Sequence, residues 1–506
     1  MNRVELLHTA CDSTLAWDFI IIGGGATGLG IAVEAAARGY RAVLLERGDF
    51  AQGTSSRSTK LIHGGLRYLR QGNFRLVSES LAERGHLLRN APHLVRPLNF
   101  VLPTNGWCET AFYAAGLKLY DHLADAHGPG RSRILNADET LALAPTLIPS
   151  RARGGLAYTD AQFDDARLAL ALAHTPAALG AVPLNHVAVQ SLVTQNNRVC
   201  GVIARDGESG GEFELRAKVV INATGVFGDV IRRWDAPAAA PTLAPSQGAH
   251  LVLPRKFLPG DTAVIIPRTA DGRVLFAIPW HGVVLLGTTD TPVNTVEIEP
   301  RPFVAEIEFL LEHAAHYFTP APKLSDILSV FAGLRPLVKS ARTTSRAPRD
   351  HALLVSPSGL VSISGGKWTT YRKMGEDAVN TAERVANFSP RESRTARLPL
   401  HDTAASDIAQ LIRTAPELAT PIHPRLSVRR ADVVHAARHE MARTVEDVLS
   451  RRTRALILDA RASVEAAPAV AALLAAELGR DEAWARAQVS AYCNLARGYL
   501  PSAPPA

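Results

Sequence analysis

Three glycines near the start of the chain have the spacing needed to hold a pyrophosphate. Gly23, Gly25 and Gly28 form G-x-G-x-x-G within DFIIIGGGATGLGIAVEAAARGYRAVLLER, residues 18–47. The first glycine permits a tight turn and the second lets a pyrophosphate approach the backbone. The third lets the next helix pack close to its strand. A helix N-terminus points free N–H groups and partial positive charge at the same phosphates. The surroundings supply the frame: an apolar run at 19–22 suited to a buried strand, a helical stretch at 31–38 stopped by Gly39, and a second strand at 41–45. Glu46 follows, where an acid grips a ribose diol and disfavours a 2′-phosphate. The motif alone leaves FAD and NAD both open.

The rest of the chain narrows the classes. It has 506 residues, 47% apolar, and a net charge of +7. That length implies roughly two to four domains. The positive charge is spread along the chain, with no zinc-finger spacing or aromatic RNA-binding signature, so no nucleic-acid partner is expected. The excess suits an anionic substrate or an anionic membrane surface. Cys11, Cys108, Cys200 and Cys493 lie far apart with no C-x-x-C, which fits a reducing cytoplasm and argues against a metal or disulfide framework; no metal site is expected. Residues 1–17 carry acids and lack the apolar core of a secretory signal. No stretch of about 20 apolar residues escapes charges or glycine breaks, so no membrane span is expected.

Strand and helix patterns alternate to about residue 235, short β-rich runs separated by Pro and Gly fill 236–350, and helical patterns dominate after 400. The expected fold is α/β. A Rossmann-like FAD-binding domain occupies the discontinuous segments 15–105, 155–235 and 351–390. A β-rich substrate domain occupies 106–154 and 236–350. A C-terminal helical cap domain occupies 395–500, and a disordered tail 501–506. A strand ending in NATG and the late GGKWTTYR do not suit a simple NAD dehydrogenase. They suit a flavoprotein whose extended FAD has its ADP end on the glycine turn and its isoalloxazine against later loops.

With these blocks in order, the chain resembles the FAD-dependent, quinone-linked glycerol-3-phosphate dehydrogenases. The resemblance is carried by IIGGGATGLGIA, TSSRSTKLIHGGLRYL, FRLVSESLAER, YTDAQFDDARL, VVINATG, SQGAH, LLGTTDTP, AGLRPL, APRDH, SGGKWTTYRKM and RHEMARTVEDVLSRRTRA, from residue 20 to about 456. SSRSTKLIHGGLRYL together with GGKWTTYR is the most specific pair. QGAH and NATGVFGD differ in detail from the KGSH and NATGPW of some members. The resemblance implies oxidation of sn-glycerol 3-phosphate at C2 to dihydroxyacetone phosphate, with a hydride passing to the flavin and electrons to ubiquinone or menaquinone.

The resemblance also assigns residues. A small dianion needs several cations and a base or polariser beside C2. Lys367, Arg349 and Tyr68 are expected to hold the phosphate. Arg335 and Arg67 are expected at the C1 or C2 hydroxyl, against developing alkoxide charge. His250 is the expected general base, its ordinary pKa being close to neutral, and His63 is expected to pack near the flavin. Thr54, Ser55, Ser56 and Lys60 are expected along the FAD pyrophosphate and ring. Gly225, Gly366 and Thr369 are expected beside the cofactor, and Thr370 opens the same helix as Thr369.

The helix expected over 109–123 is the candidate membrane contact. Phe112, Tyr113, Leu117 and Tyr120 form its apolar side, with Lys118, Arg96, Arg131 and Arg133 as nearby cations. Core packing explains the same apolar positions equally well. The expected place is the cytoplasmic face of the inner membrane, peripherally attached, and a homodimer is possible on this reading. A cytosolic FAD oxidase and a non-catalytic FAD-binding scaffold are the rival readings. An amino-acid oxidase needs no phosphate-binding cations, and a scaffold need not keep His250, Arg335 and Lys367.

Overall fold

The structure, a computed structural model, describes residues 1–12, 15–65, 73–124, 128, 130–270, 272–339, 351–401 and 404–501. Arg67, Tyr68 and Arg349, expected at the substrate, and the expected disordered end at 502–506 lie outside the described residues.

The first sheet grows around the apolar strand Trp17–Ile22, where Phe19, Ile20 and Ile21 are fully buried. This strand runs parallel to Ala42–Leu45 on one side and Glu212–Asn222 on the other. Val361–Gly365 and His351–Val355 extend one edge and Val182–Leu184 the other. The hairpin Val187–Gln195/Arg198–Asp206 continues from Glu212–Asn222. Helices Ala26–Ala37, Asp165–Ala178 and Tyr371–Ala386 pack over this sheet with one apolar core. The first and last of these helices approach closely because both crossing residues lack side chains. A Cβ on Gly375 would lie 2.6 Å from the Gly30 carbonyl oxygen.

Among the described residues the second sheet has ten strands. Towards one end of it Ser246–Pro254 is flanked by Val283–Gly287 and Ser329–Arg335. One expected domain boundary differs here. Strand Val95–Thr104 was placed with the nucleotide domain, as was Gly154–Phe163. The two pair antiparallel over their whole length and belong to the second sheet, as does Leu61–Ile62. The pattern at 95–104 reads as a strand, and local sequence does not say which sheet a strand joins.

The C-terminal region is helical, including Arg430–His439, Ala460–Leu478 and Glu482–Ala496. It shares a continuous apolar core with the second sheet, joining Val448, Leu449 and Leu456 to Phe331, Trp280 and Leu285. Among the described residues no helix is long and apolar enough to cross a membrane.

Candidate active site

The glycine turn lies at the carboxyl end of Trp17–Ile22, between neighbouring strands on both sides, where open α/β sheets bind ligands. Gly23 has φ +108°, and a Cβ there would meet the Ala223 carbonyl oxygen at 2.7 Å. A Cβ on Gly28 would come within 1.9 Å of the Gly23 carbonyl oxygen. Gly25 caps the helix Ala26–Ala37 without a side-chain bond, leaving the helix N-terminus open to a phosphate.

A cavity of about 520 Å³ begins at this turn. Gly23, Gly25, Glu46, Thr54, Ser55, Gly225, Gly366 and Lys367 line it. Glu46 accepts from Gly24 N at 2.7 Å and Gly48 N at 2.9 Å, which fixes the carboxyl at the cavity edge. Burial pushes its pKa up, against those two bonds. Ser55 Oγ accepts from Ala26 N at 2.9 Å, and its carbonyl accepts from Trp368 Nε1 at 2.8 Å. Gly225 has φ +59° and nothing within 4 Å of a notional Cβ, so bare backbone faces the cavity. These residues fit an extended dinucleotide.

The cavity continues past Thr54, Pro336, Gly365 and Gly366 into a narrower one of about 180 Å³. Here the second sheet delivers its cation. Arg335 ends its strand and pairs in register with Ser246. Its guanidinium donates to Gln247 O (3.2 Å), Thr288 Oγ1 (3.1 Å) and Thr289 O (2.9 Å), and faces Asp290 Oδ1 at 3.3 Å. Gly248 makes room for it: a Cβ there would lie 2.3 Å from Arg335 Nη2. Lys367 also lines the narrow cavity, after the positive-φ glycines 365 and 366. Its Nζ reaches Ser80 Oγ at 3.4 Å. Thr369 is buried on the same wall and donates from Oγ1 to His63 O at 3.4 Å.

Two imidazoles line the narrow cavity. His63 also lines a third, mainly apolar cavity of about 570 Å³, reaching both spaces. His250, the expected base, sits in a different environment. It stacks on its cross-strand neighbour Phe331, with centroids 4.7 Å apart and planes at 7°. Its Nε2 is 3.0 Å from Thr59 Oγ1, and its Nδ1 has no hydrogen-bond partner among the described residues. Burial, then the charges of Lys60 and Arg335, hold its pKa well below the usual histidine range.

Lys60 corrects a second expectation. It does not line the cofactor cavity but is fully buried behind the wall, with Nζ 2.6 Å from Asp165 Oδ2 and 2.7 Å from Ser56 O. The rings of Phe331 and Trp280 lie 5.2 and 5.6 Å from its ammonium. Burial pushes its pKa down to about 7 against the pull of Asp165. Ser56 is buried beside it and contributes a carbonyl, not a hydroxyl facing a cofactor. Asp290, Thr288 and Thr289, all three in LGTTDTP, are site residues beyond those expected. They fix the Arg335 guanidinium, and the signal was a polar cluster following a fully apolar strand.

The helix Trp107–Ala124 is divided. Leu117 and Tyr120 are core, while Trp107 and Phe112 are 74% and 60% exposed. The expected single apolar side is thus two faces, one buried and one bare. Phe112, Tyr113 and Leu119 line the apolar cavity.

The chain matches the FAD dependent oxidoreductase family over residues 18–372 and the C-terminal domain of alpha-glycerophosphate oxidase over 363–485. It is 38% identical to the mitochondrial glycerol-3-phosphate dehydrogenase of Rattus norvegicus, over 93% of this chain and 72% of the relative. The chain belongs to the FAD-dependent glycerol-3-phosphate dehydrogenase family. The mitochondrial glycerol-3-phosphate dehydrogenase of Arabidopsis thaliana is also 38% identical, over 91% of this chain and 82% of its own. The fold is similar to that of the Bacillus halodurans glycerol-3-phosphate dehydrogenase complexed with FAD, with a TM-score of 0.79 and 28% identity over 99% and 98% of the two chains. A glycine oxidase from Geobacillus kaustophilus shares the fold at a TM-score of 0.55 and 20% identity, covering 77% of this chain and 100% of its own. As a member of this glycerol-3-phosphate dehydrogenase family, the protein is an FAD-dependent oxidoreductase.

Proposed function

We propose that this chain oxidises sn-glycerol 3-phosphate at C2 to dihydroxyacetone phosphate and passes the electrons to a membrane quinone. The observation that carries the reading is the narrow cavity, where Arg335, Lys367 and His63 surround the continuation of the dinucleotide cavity. The glycine turn and Glu46 would hold FAD, whose flavin would supply the hydride acceptor for C2. The protein's own residues do the rest. Lys367 and Arg349 neutralise the phosphate, and Tyr68 donates a hydrogen bond to one of its oxygens. Arg335, with Arg67, orients the hydroxyl end and stabilises negative charge growing on the C2 oxygen.

The C2 hydroxyl proton goes to His63 rather than His250. An imidazole is the commonest general base, and His63 borders both cavities beside Arg335. His250 is committed to Thr59 and held as a weak base. His63→Asn should therefore lower kcat by about 10²–10⁴ and remove the acid limb of its pH profile. His250→Gln should keep that limb. A limb that survives in His63→Asn and vanishes in His250→Gln would return the proton to His250.

The apolar cavity supports quinone as acceptor, because its lining includes His63 and Arg335 as well as the exposed Phe112 of helix Trp107–Ala124. The bare face of that helix suits a peripheral position on an anionic membrane such as the cytoplasmic face of the inner membrane. Replacing Trp107 and Phe112 together with serine should release the protein from vesicles containing anionic lipid, while soluble-acceptor turnover persists. Unchanged sedimentation with the vesicles would place the membrane contact elsewhere. Dimerisation through another face is compatible with this arrangement.

The reading as a whole is tested anaerobically. Glycerol 3-phosphate should bleach the oxidised-flavin band of the purified protein, and a quinone analogue should restore it. A flavin that stays oxidised removes the substrate assignment. Reoxidation by oxygen as fast as by quinone would favour the oxidase.

A further inference from the structure

The loop lining the cofactor cavity, residues 46–60, has two sides. On the cavity side are Gly53, Thr54 and Ser55. The inner side carries groups that need partners away from water: the Asp49 carboxylate, the Ser56 carbonyl and the Lys60 ammonium. Lys60 is tied to Asp165 and Ser56, while Asp49 and Ser56 in turn draw partners from one short stretch of the C-terminal domain. This is the π-helical turn Asp447–Arg452 and the residues beside it.

Arg451 Nε donates to Asp49 Oδ2 at 2.5 Å. Arg452 pairs with both Asp49 oxygens, the Nη2–Oδ1 contact being 2.8 Å. Arg454 Nη2 donates to Ser56 O at 2.8 Å and to Asp165 Oδ1 at 3.0 Å. The other Asp165 oxygen accepts from Lys60 Nζ and Ser58 Oγ, at 2.6 and 2.7 Å. Gln52 Nε2 donates to Glu446 Oε1 at 3.1 Å. All three arginines are buried, and Arg454 holds φ +62°, a region that favours glycine. Asp49, His186 and Asp447 also converge within 4.8 Å, as metal ligands do. The guanidinium groups of Arg451 and Arg452 already neutralise both carboxylates, so the cluster is an ion-pair network. No residue of 446–454 is among those lining the cofactor cavity.

We propose that the C-terminal helical domain is a working part of the flavin site. Arg451, Arg452 and Arg454 are positioning residues that hold loop 46–60 in the shape FAD selects. This rests on the family's cofactor and not on the identity of the substrate. Coupling between sites is reciprocal. If the turn shapes the loop, FAD binding must also steady the turn.

Two measurements without substrate test this. In hydrogen–deuterium exchange on the full chain with and without FAD, amides of 446–454 should slow by about tenfold or more when FAD binds. Protection confined to the cavity-lining segments would overturn the proposal. In titrations of apoprotein followed by FAD fluorescence, Arg452→Met and Arg454→Met should each raise the Kd by about tenfold or more. Arg438→Gln, which breaks an exposed pair with Glu477 in the same domain, should leave it unchanged. Wild-type Kd in both methionine variants would overturn the proposal even if their melting temperatures fall. If neither variant folds, the exchange measurement on the unaltered chain decides.

Discussion

Replacing Arg335 with leucine should lower kcat for glycerol 3-phosphate by about 10²–10³, the usual cost of removing one donor aimed at developing charge. Arg335 is fixed before any substrate arrives. Gln247 O, Thr288 Oγ1, Thr289 O and Asp290 hold its guanidinium at the wall of the narrow cavity. Little reorganisation is then left for the moment of reaction. Lysine in its place keeps a charge but not the planar fork and should recover only part of the rate. Leucine also leaves Asp290, only 6% exposed in its side chain, without its cation. The double variant Arg335→Leu/Asp290→Asn separates the two effects: stability should return while turnover stays low. Steady-state kinetics with a soluble acceptor read the outcome. A kcat close to wild type with only KM raised would place Arg335 in uniform substrate binding instead.

Gly28→Val should give protein that holds almost no flavin. The third glycine of the motif does not touch a ligand; it permits the helix to leave the turn. Even one added carbon would lie 1.9 Å from the Gly23 carbonyl oxygen and 3.5 Å from the Ala223 side chain. Neither neighbour can withdraw, since one is backbone and the other is packed in the core. Displacing the helix from the strand costs on the order of 3 kcal/mol or more, by the overpacking and strain that make core substitutions severe. The same displacement moves the helix N-terminus away from the pyrophosphate. Flavin absorbance per mole of purified protein and thermal unfolding measure the two effects. Normal flavin content would show that the turn tolerates the displacement.

The parts of this site that were legible in the sequence are those assembled locally. The strand, turn, helix and acid between residues 18 and 47 lie within one βαβ unit, so spacing reported their arrangement. Lys60 was misplaced because a lysine in a polar, hydroxyl-rich loop reads as exposed. Its partner Asp165 is 105 residues away, at the start of the helix Asp165–Ala178. His250 was read from its chemistry alone. Its burial comes from its strand being buried on both faces, and from a phenylalanine 81 residues later in the adjacent strand. The arginines of LSRRTRA looked like the charged surface of a helical cap. Nothing within the motif shows that three of them point inward, because Asp49 and Asp165, which draw them there, lie in the first third of the chain.

The order of strands in the first sheet has a consequence for how the protein is made. Trp17–Ile22 emerges from the ribosome first, but its neighbour Glu212–Asn222 follows about 200 residues later, and Val361–Gly365 later still. At roughly 5–20 residues per second, the glycine turn waits tens of seconds for the second half of its cradle. A nascent chain therefore cannot complete the cradle for its cofactor until residues 365–368 have been made. Flavin capture becomes a quality check on a nearly finished polypeptide, and prematurely terminated products should be recognisable in the cell by being colourless.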